Sequence, residues 1–251
     1  MPAGLALSLL VLPLVALVLR APWSELPALL AQPTVLQALA LSLGTATIAT
    51  AVSLVLGIPL ALVLARSAVW AAVPRRMLRA LVTVPLVLPP VVGGVALLLL
   101  LGRRGLIGQW LPFTIPFTPA AVVIAQVFVS MPFLVIAVAG ALRASDRRFE
   151  VAAATLGASR FTVFRRITLP LVAPGIASGA LLCFTRSLGE FGATITFAGS
   201  FPGTTQTLPI STYLLLQTDP SAAIALSLVL MVVSVAVLVS LRDRWVPGVV
   251  A

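Results

Sequence analysis

The sequence predicts an all-α integral membrane protein of about six transmembrane helices, from its composition, its apolar stretches and its arginines. Of 251 residues, 61% are hydrophobic and 9% charged, with a mean hydropathy of +1.19. A water-soluble domain of this length lacks the polar residues to cover so much apolar material. Apolar stretches run over roughly 4–19, 36–65, 80–101, 119–141, 171–193 and 221–241. About 20 helical residues cross a hydrocarbon core of about 30 Å, which most of these stretches match or exceed.

All sixteen basic residues are arginine. Arg66, Arg75, Arg76 and Arg79 follow the second stretch, Arg143, Arg147, Arg148, Arg160, Arg165 and Arg166 the fourth, and Arg242 and Arg244 the sixth. The opposite side holds Arg20, Arg103 and Arg104, while Arg186 lies within a stretch. Positive charge gathers on the cytoplasmic side, so both termini are expected there. This placement assigns the net charge of +10 to membrane topology and lipid rather than to nucleic acid.

The first stretch has no arginine before Arg20 and no convincing small-residue cleavage site, so it reads as a retained helix rather than a signal peptide. The second is long and is expected to tilt or to extend beyond the lipid. In the third, "VPLVLPPVVGG" at 84–94 places Pro89 and Pro90 ahead of two glycines. Pro90 removes a backbone donor and pushes Pro89 away from helical geometry. The kink serves either packing or a helix that lines a route.

Absent residues narrow the chemistry. Without lysine the chain cannot build a standard P-loop, and without histidine it cannot build a histidine triad or a zinc-protease site. A single cysteine, Cys183, permits no intrachain disulfide and is expected to be a buried packing residue. No cofactor or metal is expected in this chain, and ATP, where it drives the protein, must be bound by another subunit.

Between the fourth and fifth stretches lies "AAATLGASRFTVFRRITLP", residues 152–170. Glu150 followed by alanines favours a short helix, Gly157 can end it, and Ser159 can cap a second helix carrying Phe161, Phe164 and Ile167 on one side. Pro170 stands where the chain is expected to turn back into the bilayer. Small residues let a partner approach the backbone closely, whereas the arginines suit a loop lying on lipid headgroups. Residues Ala152, Ala153, Gly157 and Ile167-Thr168-Leu169-Pro170 resemble the "EAA" loop of permease subunits of binding-protein-dependent ABC importers. The glutamate position of that motif is Val151 here, with Glu150 one residue earlier.

The resemblance implies a type I ABC importer permease fold over 35–242, with a coupling loop over about 143–170. It implies an additional N-terminal helix and periplasmic loop over 1–34 and a short cytoplasmic tail over 243–251. Glu150, Ala152, Ala153, Gly157, Ile167, Leu169 and Pro170 would then face a cytoplasmic ABC ATPase that binds ATP and magnesium. The other implied partners are a periplasmic or lipid-anchored oxyanion-binding protein and a second copy of the chain, in a bacterial or archaeal inner membrane.

In the fifth stretch, Arg186 and Glu190 stand four residues apart and can pair on one helix face. A lone charge at membrane depth costs roughly 2.5–3.5 kcal/mol or more, so both are expected to face the bundle interior or a cavity. Gly175, Gly179, Leu182, Arg186, Glu190 and Ala193 are expected on one stripe, its glycines permitting close helix approach. The pair can fix packing or line a path, and a self-neutralised pair leaves no strong trap for an anion. Residues 186–197, with Gly189, Gly192 and Thr194 among them, resemble the fifth-helix segment of molybdate permeases, and "TQTLPISTY" at 205–213 continues the likeness. That implies molybdate, with tungstate as a close mimic; a sulfate permease is the alternative. A secondary transporter or channel working without ATP would lean on Glu190 alone, and a membrane-embedded enzyme finds too few grouped polar residues.

Overall fold

The computed structural model describes residues 2–146 and 148–245, with the side chains of Leu238 and of 240–245 outside that description. Arg147, the side chains of Arg242 and Arg244, and residues 246–251 of the expected tail therefore lie outside the described residues. All regular structure among the described residues is helical.

Helix α1 (Pro2–Leu19) is apolar on every side and buries no residue, as suits a helix surrounded by lipid. A short α2 (Leu26–Leu30) sets Leu29 against the last helix. Helix α3 (Pro33–Arg66) has 34 residues. It rises about 51 Å, so it must tilt or project beyond the hydrocarbon, as expected.

The third crossing departs from a single kinked helix over 80–101. Helix α4 (Ala72–Val87) and helix α5 (Pro90–Leu101) meet at 113°. Leu88 and Pro89 are extended, and Pro90 opens α5 at a position that needs no donor. The two prolines thus break the helix instead of bending it. With 12 residues α5 rises only about 18 Å, too short to cross alone.

Helix α6 (Pro119–Ala144) forms the centre of the bundle with α3 and with α9 (Leu169–Leu188). A Cβ added at Gly179 of α9 would stand 3.1 Å from Ala137 Cβ and from Leu134 Cδ1 of α6, and one at Gly175 would fall on Ala141 Cβ. The expected small-residue contact is therefore made, and its partner is α6. Cys183, fully buried, sits in the same seam with its Sγ 3.2 Å from Ser130 Oγ.

The fifth stretch also differs at both ends. No turn occurs at Pro170, because the helix runs unbroken from Arg160 to Leu188. One π turn, Phe164–Thr168, in which Leu169 N donates to Phe164 O, absorbs the proline. At the far end α9 stops at Gly189, and a separate α10 (Gly192–Ala198) follows. The expected stripe is consequently not continuous: Leu182 is 48% exposed while Glu190 and Ala193 are buried. Helix α11 (Leu208–Thr218), outside the six apolar stretches, precedes the closing helix α12 (Pro220–Trp245).

Replacing Gly179 with leucine should push α9 off α6 and lower stability by about 1–3 kcal/mol. Thermal unfolding in detergent should show the loss, and an unchanged midpoint would refute the close contact.

Candidate functional site

Two regions carry the sequence-marked residues, joined by the 29-residue helix from Arg160 to Leu188. The first is a hairpin. Asp146 Oδ1 accepts from Arg148 N at 2.9 Å and starts α7 (Arg148–Thr155). Gly157, at φ +83°, ends it: Ala158 N donates to Ala153 O and Gly157 N to Ala154 O, each at 3.0 Å. Those paired bonds satisfy carbonyls that a helix end leaves free, and the left-handed conformation behind them favours glycine. Ser159 Oγ then accepts from Thr162 N at 3.2 Å and caps α8 (Arg160–Val163), as its position predicts.

Between the two arms lies an apolar groove of about 520 Å³. It brings together Ala152, Ala153, Ile167 and Pro170, with Phe149 and Leu156 at its sides. Leu156 is 88% exposed and Phe161 69% exposed. Apolar side chains presented this openly on a polar hairpin mark a contact surface. Glu150 does not join the groove. Its Oε1 accepts from Thr168 Oγ1 at 2.6 Å, tying α7 to the π turn at the base of α9. Thr168 is buried, and no spacing rule connects residues 18 apart, so sequence reasoning missed this bond. Leu169 is half-buried outside the groove lining.

The second region is where two broken helices meet. A Cβ on Gly192 would lie 2.9 Å from Pro90 Cβ, and one on Gly94 would lie 2.7 Å from Thr196 Cβ. Helix α10 therefore rests directly on α5, and the breaks at Leu88–Pro90 and Gly189–Phe191 adjoin. The proline and the fifth-stretch segments, far apart in sequence, form one site.

Glu190 holds it together. Its Oε1 accepts from Ala193 N at 2.8 Å, satisfying an otherwise free donor in the first turn of α10. Its Oε2 stands 2.7 Å from Arg186 Nη1, in an ion pair without hydrogen-bond alignment. Glu190 is 1% exposed and Arg186 29% exposed, so the cation reaches toward the open side. The expected pair thus forms, across the end of α9 rather than along a continuous helix. Beneath it, Ser187 Oγ donates to Ser130 Oγ of α6 at 2.8 Å. Thr194 is fully buried, and its hydroxyl has no hydrogen-bond partner. Gly189, the cap of α9, is exposed. Among the described residues no group of three potential metal ligands converges.

Residues 54–247 match the family model described as "Binding-protein-dependent transport system inner membrane component". The chain belongs to this family. It is 51% identical over 247 residues to the molybdenum transport system permease protein ModB of Mycobacterium tuberculosis, covering 97% of this chain and 92% of that one. The protein of the same name from Escherichia coli is 42% identical over 213 residues, with 83% and 92% covered. A bacterial alginate ABC transporter superimposes with a TM-score of 0.71 at 17% identity, over 96% of this chain and 90% of that one. The fold is that of a type I ABC importer permease. Family membership makes the chain a multi-pass membrane protein with a transport role.

Exchanging Glu190 for glutamine should leave Arg186 without its counter-ion and cost on the order of 2 kcal/mol. Thermal stability should fall, and an Arg186→Glu, Glu190→Arg exchange should recover only part of it. The exchange restores the pair but brings a cation to the N-terminus of α10. Full stability in Glu190→Gln would remove the pair from the account.

Proposed function

We propose that the chain is the membrane-spanning subunit of an ATP-driven molybdate importer that also accepts tungstate. The observation that carries this reading is the 51% identity to a molybdenum permease along 97% of the chain. Two copies enclose a path at their interface, and two ATPase subunits dock on the α7–α8 hairpins. Both termini lie in the cytoplasm, and a periplasmic or lipid-anchored binding protein delivers the oxyanion from the other side. Residues 35–242 form the transport domain, 1–34 add a helix and a loop, and 243–251 form a tail.

ATP and magnesium belong to the partner chain, which performs the hydrolysis; this chain catalyses no reaction and holds no cofactor. The apolar groove with Ala152, Ala153, Ile167 and Pro170 is the seat for the ATPase, and Gly157 sets its shape. Leu169 supports it from behind, and Glu150 passes its displacement to α9 through Thr168. ATP binding draws the hairpins together and turns the path outward; release of products returns it inward. The adjoining breaks, with Arg186, Gly189, Glu190, Gly192 and Thr194 on one side and Pro89 and Pro90 on the other, flank the path. Because Arg186 is neutralised by Glu190, an oxyanion is attracted only weakly there and can leave again.

Two experiments test the reading. Vesicles holding the chain, its ATPase and its binding protein should accumulate labelled molybdate, with competition by tungstate and not by excess sulfate. Equal competition by sulfate would shift the substrate to sulfate, and accumulation by the chain alone would overturn ATP dependence. Gly157→Val should strain the left-handed turn by about 1–2 kcal/mol. The variant should remain in the membrane and lose co-purification with the ATPase, and undiminished assembly would remove the hairpin as the seat.

A further inference from the structure

On the side of the hairpin away from the apolar groove, two cavities share Leu62, Arg66 and Glu150. One, of about 390 Å³, reaches Leu142 and Arg143 of α6; the other, of about 370 Å³, reaches Arg160 and Phe164. Arg66 of α3 thus lines both cavities, which adjoin as one cleft, with Arg143 of α6 in the first and Arg160 of α8 in the second. Arg66, Arg143 and Arg160 are all exposed, and none makes a side-chain hydrogen bond or an ion pair among the described residues. The only carboxylate in the lining, Glu150, is held by Thr168 and pairs with none of them.

Local helix electrostatics account for part of this arrangement. Arg66 and Arg143 stand in the last turns of α3 and α6, where a cation suits the helix dipole. Arg160 is different: it is the first residue of α8, at the positive end of the long helix, where a cation is disfavoured. Its place in the cleft adds a third positive charge where Glu150 supplies one negative charge, leaving an excess of two. Such a cluster lowers its own repulsion by taking up an anion.

We propose that the cleft is a binding site for a tetrahedral oxyanion of the phosphate type. Guanidinium groups present paired N–H donors that match the oxygens of such an anion, and three of them supply more donors than one carboxylate can use. The group comes either from the headgroup of an anionic phospholipid or from a free dianion in solution. The site is separate from the Arg186–Glu190 region and stands whatever the transported solute is.

The test uses the full-length chain in nanodiscs of phosphatidylcholine, with and without phosphatidylglycerol. Retention of radiolabelled inorganic phosphate and molybdate is measured by equilibrium dialysis, and retained phosphatidylglycerol by native mass spectrometry. An Arg143→Gln, Arg160→Gln variant is compared with an Arg76→Gln, Arg79→Gln variant, which removes equal charge from exposed positions of α4 outside the cleft. Loss of free-anion binding by about tenfold in the first variant alone identifies a soluble oxyanion as the occupant. Loss of phosphatidylglycerol in the first variant alone identifies a lipid headgroup. No loss in either variant, or equal loss in both, overturns the proposal, because the cleft then adds nothing to the general positive field. The measurement needs no transport, so failure of uptake leaves it standing.

Discussion

Backbone N–H and C=O groups find no water in the core of a bilayer, so a helix that stops there must hand its free groups to protein. This chain stops twice within its apolar stretches, at Leu88–Pro90 and at Gly189–Phe191, and the contacts around the breaks answer that constraint. The breaks adjoin, so each is covered by the other's helix. Glycines at 94 and 192 bring the backbones close enough to exclude lipid, and Glu190 supplies the acceptor that the first turn of α10 lacks. Once the carboxylate is buried for that purpose it needs a cation, and Arg186 one turn earlier provides it. The ion pair is a consequence of the break as much as a device of transport.

The hairpin and the breaks are mechanically one object. The helix from Arg160 to Leu188 contains 29 residues, so it spans about 43 Å. Its lower end carries the groove, the Glu150–Thr168 bond and the π turn; its upper end carries Arg186 and the cap at Gly189. The contacts of Gly175 and Gly179 hold the rod against α6. The π turn at 164–168 is the one irregular step, placed between the groove and those contacts.

What could be read in the sequence was whatever depends on neighbours along the chain. Gly157, Ser159 and the alanines specify the hairpin locally, and the structure keeps each role. Prolines 89 and 90 announced an irregularity, but its size depended on whether α5 had a partner to lean on. That partner, α10, was concealed inside an apolar run read as the end of the fifth helix. Gly189 was marked by its place in the 186–197 segment, but not as a helix end, because the α5 contact that covers the break is remote in sequence. Thr168 and Ser130 could not be singled out either. Their partners lie 18 and 57 residues away, and a lone hydroxyl in an apolar stretch carries no positional signal.

The two regions differ in how charge is balanced. Where the breaks meet, Glu190 neutralises Arg186 at 2.7 Å. At the arginine-rich end Glu150 accepts from Thr168 and forms no ion pair with Arg66, Arg143 or Arg160, so its single charge offsets the three only in part. Water screens exposed charge strongly and buried charge weakly, so the buried Glu190 requires a partner in contact while the exposed arginines can stand unpaired. One carboxylate stands in each region: Glu190 meets a single cation and neutralises it, whereas Glu150 bonds a hydroxyl and faces three cations with one charge.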